Sequence, residues 1–113
     1  METELRSIET YITRDGKAPF SEWLYSLKDI QARARIRIRL DRVRLGNLGD
    51  CNPVGSGVFE LRINFGPGYR VYFGQEGKKL IVLLIGGDKS SQHKDILRAQ
   101  SYWLDYRSRE DEN

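Results

Sequence analysis

Between residues 59 and 73, apolar side chains hold every odd position of two short runs, Phe59 to Phe65 and Tyr69 to Phe73. Glu60, Arg62, Asn64, Arg70 and Tyr72 hold the even positions. Side chains alternate across a strand, so this pattern predicts a β-hairpin with its odd set on a core and its even set facing out. Gly66-Pro67-Gly68 supplies the connection. With Phe65 opposite Tyr69, Arg62 pairs with Tyr72 and Asn64 with Arg70. Arg62 and Arg70 then become diagonal neighbours, roughly 7–8 Å apart.

The rest of the chain divides by the same reasoning. Residues 6–12 read as a strand with Ile8 and Ile12 on one face, closed by a turn at Asp15-Gly16. Pro19 suits the first position of a helix whose stripe is Phe20, Trp23, Leu24 and Leu27. Residues 33–40 alternate arginine or alanine with apolar residues, but the phase flips at Arg42 and Val43. A strand with that flip would turn arginines inward, so residues 30–45 are assigned to a helix ending near Gly46-Asn47. Its arginines form a solvated face, a phosphate-binding face or a partner-binding face. Residues 47–57, rich in Gly, Asn, Asp and Pro, predict a loop. Residues 79–85 are apolar without alternation, as in a strand buried on both faces. After Gly86-Gly87, Ser90 or Ser91 would cap a last helix over 91–106, with Ile96, Ala99, Trp103 and Tyr106 inward and a frayed tail from Arg107. The expected order, β-α-α-β-β-β-α, describes one α+β domain over 1–113, with an ordered core of about 6–106 and a mostly antiparallel sheet packed against helices.

Charge sharpens this picture. The net charge is +3, but residues 33–98 hold thirteen Lys/Arg against six Asp/Glu, while the flanks are net acidic. That asymmetry favours a nucleic-acid or acidic partner for the middle of the chain. Cys51 is the single cysteine, which excludes an intramolecular disulfide. The polar start, Met1-Glu2-Thr3-Glu4, carries no secretory pattern, and the longest apolar run, Leu80 to Ile85, is too short for a membrane span. A cytoplasmic location is expected. No carboxylate pair, metal-ligand spacing or phosphate-cradling loop is present, and no cofactor is expected.

Three basic groups converge in this topology: Arg62 and Arg70 on the hairpin, and Lys89 beyond the following strand. His93, the lone histidine, and Lys94 lie in the first turn of the last helix. Gly86-Gly87 would let a ligand approach the backbone closely. Such a set suits RNA cleavage by attack of the ribose 2′-hydroxyl on the adjacent phosphate. Arginines stabilise the phosphorane charge, and His93 or a lysine moves a proton. The candidate catalytic residues are therefore Arg62, Arg70, Lys89, His93 and Lys94. Arg35, Arg39, Arg42 and Tyr72 are assigned to RNA contact. With an outward side chain, Arg70→Ala is expected to remove activity and leave the fold intact. The plain alternative is that these are solvated surface residues.

The segments Val58-Phe59-Glu60-Leu61-Arg62-Ile63, Gly68-Tyr69-Arg70-Val71-Tyr72-Phe73 and Gly86-Gly87-Asp88-Lys89-Ser90, with Pro19-Phe20 and Trp23-Leu24, resemble the RelE/ParE superfamily of bacterial toxins. They are most similar to its HigB-like branch of phage-derived addiction-module killer proteins. The resemblance implies a RelE-like fold and a toxin of a type II toxin–antitoxin system. The implied activity is ribosome-dependent cleavage of mRNA. The implied partners are the ribosome, mRNA and a helix-turn-helix antitoxin that carries the complex to operator DNA. It also implies phosphate contact by Arg62, transition-state stabilisation by Arg70 and a basic role for Lys89. Glu60 departs from the pattern, since RelE-type members carry a basic residue there. The ParE branch implies a different outcome, inhibition of DNA gyrase, and a non-catalytic role in autoregulation is a third.

Overall fold

Pro19 does begin a helix, α1 (Pro19–Ser26), and the arginine-rich segment folds as α2 (Ile30–Arg44). Asp29 caps α2 by accepting from the amides of Gln31 and Ala32, at 2.9 and 3.2 Å. Gly46 takes the positive φ that closes it. The computed structural model describes residues 5–111, so the polar Met1–Glu4 start and the last two residues of the tail lie outside the described residues. The strands are β1 (Ser7–Thr10), β2 (Cys51–Gly55), β3 (Val58–Ile63), β4 (Tyr69–Glu76) and β5 (Leu80–Asp88). A 3-10 turn, Lys89–Ser91, leads into α3 (Gln92–Asp111). The protein is thus α+β, with a mixed five-stranded sheet in the order β1-β5-β4-β3-β2. β1 runs parallel to β5, and the other neighbours are antiparallel.

The sheet is covered on both faces. α1 and α2 close one side around Phe20, Leu24, Ile36, Val43, Leu61, Val71, Phe73 and Ile81. α3 closes the other through Ala99 and Trp103, packed with Tyr11, Val58, Tyr72, Val82 and Leu84. The second cover overturns the expectation that the even face of the hairpin meets solvent. Glu60, Arg70 and Tyr72 lie beneath α3, and all three are buried.

Four smaller corrections follow from the same packing. β2 forms where a loop was expected, as an edge strand in which Pro53 needs no ladder hydrogen bond. β1 ends at Thr10, so Tyr11 rather than Ile12 points inward. α3 continues through the tail expected to fray, and its end is tied down by Asp105. That carboxylate accepts from Tyr11 and pairs with Arg14 and Arg109, each at 2.9 Å. The cap before α3 is Asp88, which accepts from the amide and hydroxyl of Ser90.

Close contact between α3 and the sheet depends on glycine. A Cβ at Gly74 would overlap the Trp103 ring. Gly74→Ala is therefore expected to destabilise the fold by about 1–3 kcal/mol, the usual cost of overpacking. A thermal melt reads this as a fall in Tm of several degrees.

Candidate functional site

Arg62 sits directly opposite Arg70 on β3 and β4, and Arg70 sits opposite Gly87 on β5. The expected pairing was displaced by two residues, because the connection spans 64–68 rather than 66–68. Within it, the amide of Gly68 donates to Phe65 at 3.1 Å. A shift of two preserves faces, so Arg62 and Arg70 remain on one side of the sheet but pair squarely.

Beside this pair, on the same face and opposite Tyr72, lies Glu60, fully buried. Its Oε1 accepts from Arg62 Nε at 2.8 Å. Its Oε2 accepts from Tyr72 Oη at 3.1 Å and Gln92 Nε2 at 3.0 Å, with Arg70 Nη1 at 3.5 Å. Burial pushes the Glu60 pKa up, but the donors from Arg62 and Gln92, the Arg70 charge and the Tyr72 hydroxyl outweigh it and hold it below the usual range. Burial, reinforced by the Glu60 charge, drives the Tyr72 phenol well above its ordinary value.

The two arginines are not equivalent. Arg62 leaves about half its side chain exposed, and among the described residues only its Nε is hydrogen-bonded. Its two terminal nitrogens make no hydrogen bond among the described residues, while Glu60 holds the guanidinium at Nε. Arg70 is 7% exposed, and its Nε has no partner among the described residues. The outward orientation expected of Arg70 is therefore wrong. So is the assignment of Tyr72 to RNA contact, since its ring is enclosed under α3.

Lys89, His93 and Lys94 are exposed at the 3-10 turn and the first turn of α3. Lys89 lies beside the hairpin connection: its Cβ is 3.7 Å from where a Cβ on Gly68 would stand. Gly86 and Gly87 line a cavity of about 510 Å³ with Trp23, Ser91 and Asp95. The space a Cβ on either would take is filled by the chain's own Trp23 and by Asp95, a buried carboxylate that accepts from the Ser91 hydroxyl.

The arginines of α2 belong elsewhere, because α2 packs on the opposite face of the sheet from Arg62 and Arg70. Arg35 and Arg42 are exposed there, Arg35 with its guanidinium 4.6 Å above the Phe65 ring. Arg39 is half-buried and donates to the carbonyls of Leu48 and Asp50, so it fastens the α2–β2 connection rather than facing RNA.

Sequence reasoning missed Glu60, Gln92 and Asp95. The one available signal was Glu60 itself, a carboxylate two positions from Arg62 and thus on the same face. Among the described residues no group of three or more His, Cys, Asp or Glu is placed to hold a metal ion. No helix of the described residues is long and apolar enough to cross a membrane.

Fold and site together define a small α+β protein with a carboxylate-centred arginine pair on its central strands. No protein-family model matches the chain. An uncharacterized protein of Haemophilus influenzae is 49% identical over 81 residues, covering 72% of this chain and 82% of that protein. The chain belongs to the same family as that Haemophilus protein.

Proposed function

We propose that this protein is a RelE-like toxin of a type II toxin–antitoxin system, an mRNA endoribonuclease acting on the ribosome and neutralised by a protein antitoxin. The observation that carries the reading is Arg62: a half-exposed guanidinium held by Glu60 through Nε, with its two terminal nitrogens unengaged among the described residues. That fork matches two oxygens of a phosphodiester. The order β-α-α followed by antiparallel strands and a closing helix supports the RelE-like fold, with β2 as an added edge strand.

In this mechanism the 2′-hydroxyl attacks phosphorus, the 5′-oxygen leaves, and a cyclic phosphate forms. Arg62 stabilises the charge on the non-bridging oxygens, and Lys89 adds to the positive field. His93 or Lys94, on the exposed first turn of α3, exchanges the protons. Arg70 is a positioning residue. Its charge compensates Glu60, and Glu60 in turn orients Arg62.

Burial of Arg70 favours a second reading, a non-catalytic inhibitor of the gyrase-directed kind, because the arginine assigned to the transition state does not reach the surface. The decisive experiment is expression in a bacterium with mapping of 5′ ends on translated mRNA. Breaks inside reading frames support the nuclease; intact message with arrested replication supports the inhibitor. RNA binding by the purified chain should weaken steeply between ~50 and ~200 mM salt. A flat fluorescence-anisotropy titration across that range would count against phosphate contact.

A further inference from the structure

α2 has two apolar faces. Ala32, Ile36, Leu40 and Val43 are buried against the sheet. At about 100° per residue, Ile30, Ala34, Ile38 and Leu45 gather on the opposite side. All four are exposed, with Ile30 at 71%, Ile38 at 52% and Leu45 at 60%. Arg35 and Arg42 border this outer stripe on one side, and Arg33, Arg37 and Arg44 on the other.

Several of these guanidinium groups are already held in place. Arg35 lies over Phe65, Arg37 lies 5.5 Å from the centre of the exposed Tyr25 ring, and Arg44 pairs with Asp41 at 3.0 Å. A 330 Å³ groove between Arg35, Ile38, Arg42 and the end of β3 runs along one border. Asp41 interrupts the apolar residues between Ile38 and Leu45 and is neutralised there by Arg44. Exposed apolar side chains on either side of it, flanked by two rows of cations, are unusual on a helix that already buries another face.

We propose that this outer face of α2 is a docking surface for an acidic amphipathic helix of another protein. Apolar side chains of the incoming helix would pack on Ile30, Ile38 and Leu45, and glutamates or aspartates along its flanks would meet the two arginine rows. Charge decides against the same face of a second copy, which would set arginine against arginine. The apolar stripe decides against RNA, whose phosphates would use the arginines and leave Ile38 and Leu45 idle. The proposal is independent of the nuclease reading, since α2 and Arg62 serve opposite faces of the sheet.

The test is selection from a displayed library of helical peptides with fixed leucines at the core positions and flanks drawn from Glu, Lys and Ser. The full-length chain is the target. Enrichment of Glu-flanked peptides is expected. Binding should fall tenfold or more for Ile38→Ser with Leu45→Ser. Arg35→Glu with Arg42→Glu should shift preference toward Lys-flanked peptides. Both double variants change exposed positions, and circular dichroism checks that they fold. The proposal is overturned if no acidic flank is enriched, or if the selected peptides bind the Ile38→Ser/Leu45→Ser variant equally well. It is also overturned if single-stranded RNA displaces the peptides without competition from charge-matched polyglutamate, or if sedimentation shows the free chain self-associating through this face.

Discussion

Glu60→Ala should destabilise the protein by about 3–5 kcal/mol, the range for removing one partner of a buried ion pair. The substitution strands Arg70, 7% exposed, beneath α3 with no carboxylate. It also removes the acceptor of Tyr72, which is fully buried, and of the half-buried Gln92. Denaturant titration should show a large drop in midpoint with little change in slope, because the surface exposed on unfolding is nearly the same. Glu60→Gln keeps the shape and should cost less, but it still leaves the Arg70 charge unbalanced. The pH dependence has a definite sign. The native Glu60 pKa lies below the unfolded one, so the unfolded chain binds the proton first as pH falls. The stability Glu60 contributes is complete above the unfolded value, near 4.3, and is lost as pH drops through the native value. Asp88 and Asp105, also depressed by hydrogen bonds from Ser90 and Tyr11, act in the same direction. Acid melts of the wild type should therefore steepen below about pH 4, and Glu60→Gln should flatten part of that slope.

The Glu60 cluster also marks what the sequence could and could not disclose. The phase flip at Arg42 and Val43 identified α2, and Pro19 identified the start of α1, because helix geometry excludes the alternatives locally. The unbroken run from Leu80 to Ile85 correctly indicated a strand covered on both sides. That run carried an implication for its neighbours. If β5 is buried on both faces, the adjacent β4 is covered twice as well, and the even residues of the hairpin fall under a helix. Alternation of polar and apolar residues does not separate a solvated face from a buried one whose polar groups satisfy each other. Glu60, Arg70 and Tyr72 form such a buried set. β2 was hidden for a different reason: Cys51-Asn52-Pro53-Val54-Gly55 has poor strand propensity and is held by edge pairing to β3. Gly86 and Gly87 did signal close approach, but by Trp23 and Asp95 of the chain itself.

Arg62→Ala and Arg70→Ala should fail for different reasons, and the contrast is the sharpest test of the proposed site. Arg62 is half-exposed, and Glu60 keeps Tyr72, Gln92 and Arg70 when it is removed. The variant should fold, but it leaves Glu60 Oε1 without its donor and should melt somewhat below the wild type, well above Arg70→Ala. Its mRNA cleavage should fall by about 10²-fold or more, the scale on which a lost oxyanion donor slows a reaction. Arg62→Lys should recover little, because a single ammonium cannot reproduce the planar fork or the Nε bond to Glu60. Arg70→Ala removes a buried cation and should cost about 3–5 kcal/mol, with toxicity lost through unfolding. Arg70→Met, which fills the space without charge, should restore more of the stability if paired with Glu60→Gln than if made alone. In that double variant Arg62 retains a carbonyl acceptor for its Nε, so cleavage should return in part. Growth inhibition, primer extension on translated mRNA and a thermal melt on the same five variants separate the roles. A folded, fully toxic Arg62→Ala would remove phosphate contact from Arg62 and, with it, the nuclease reading, leaving the arginine pair as a clamp between β3, β4 and the start of α3.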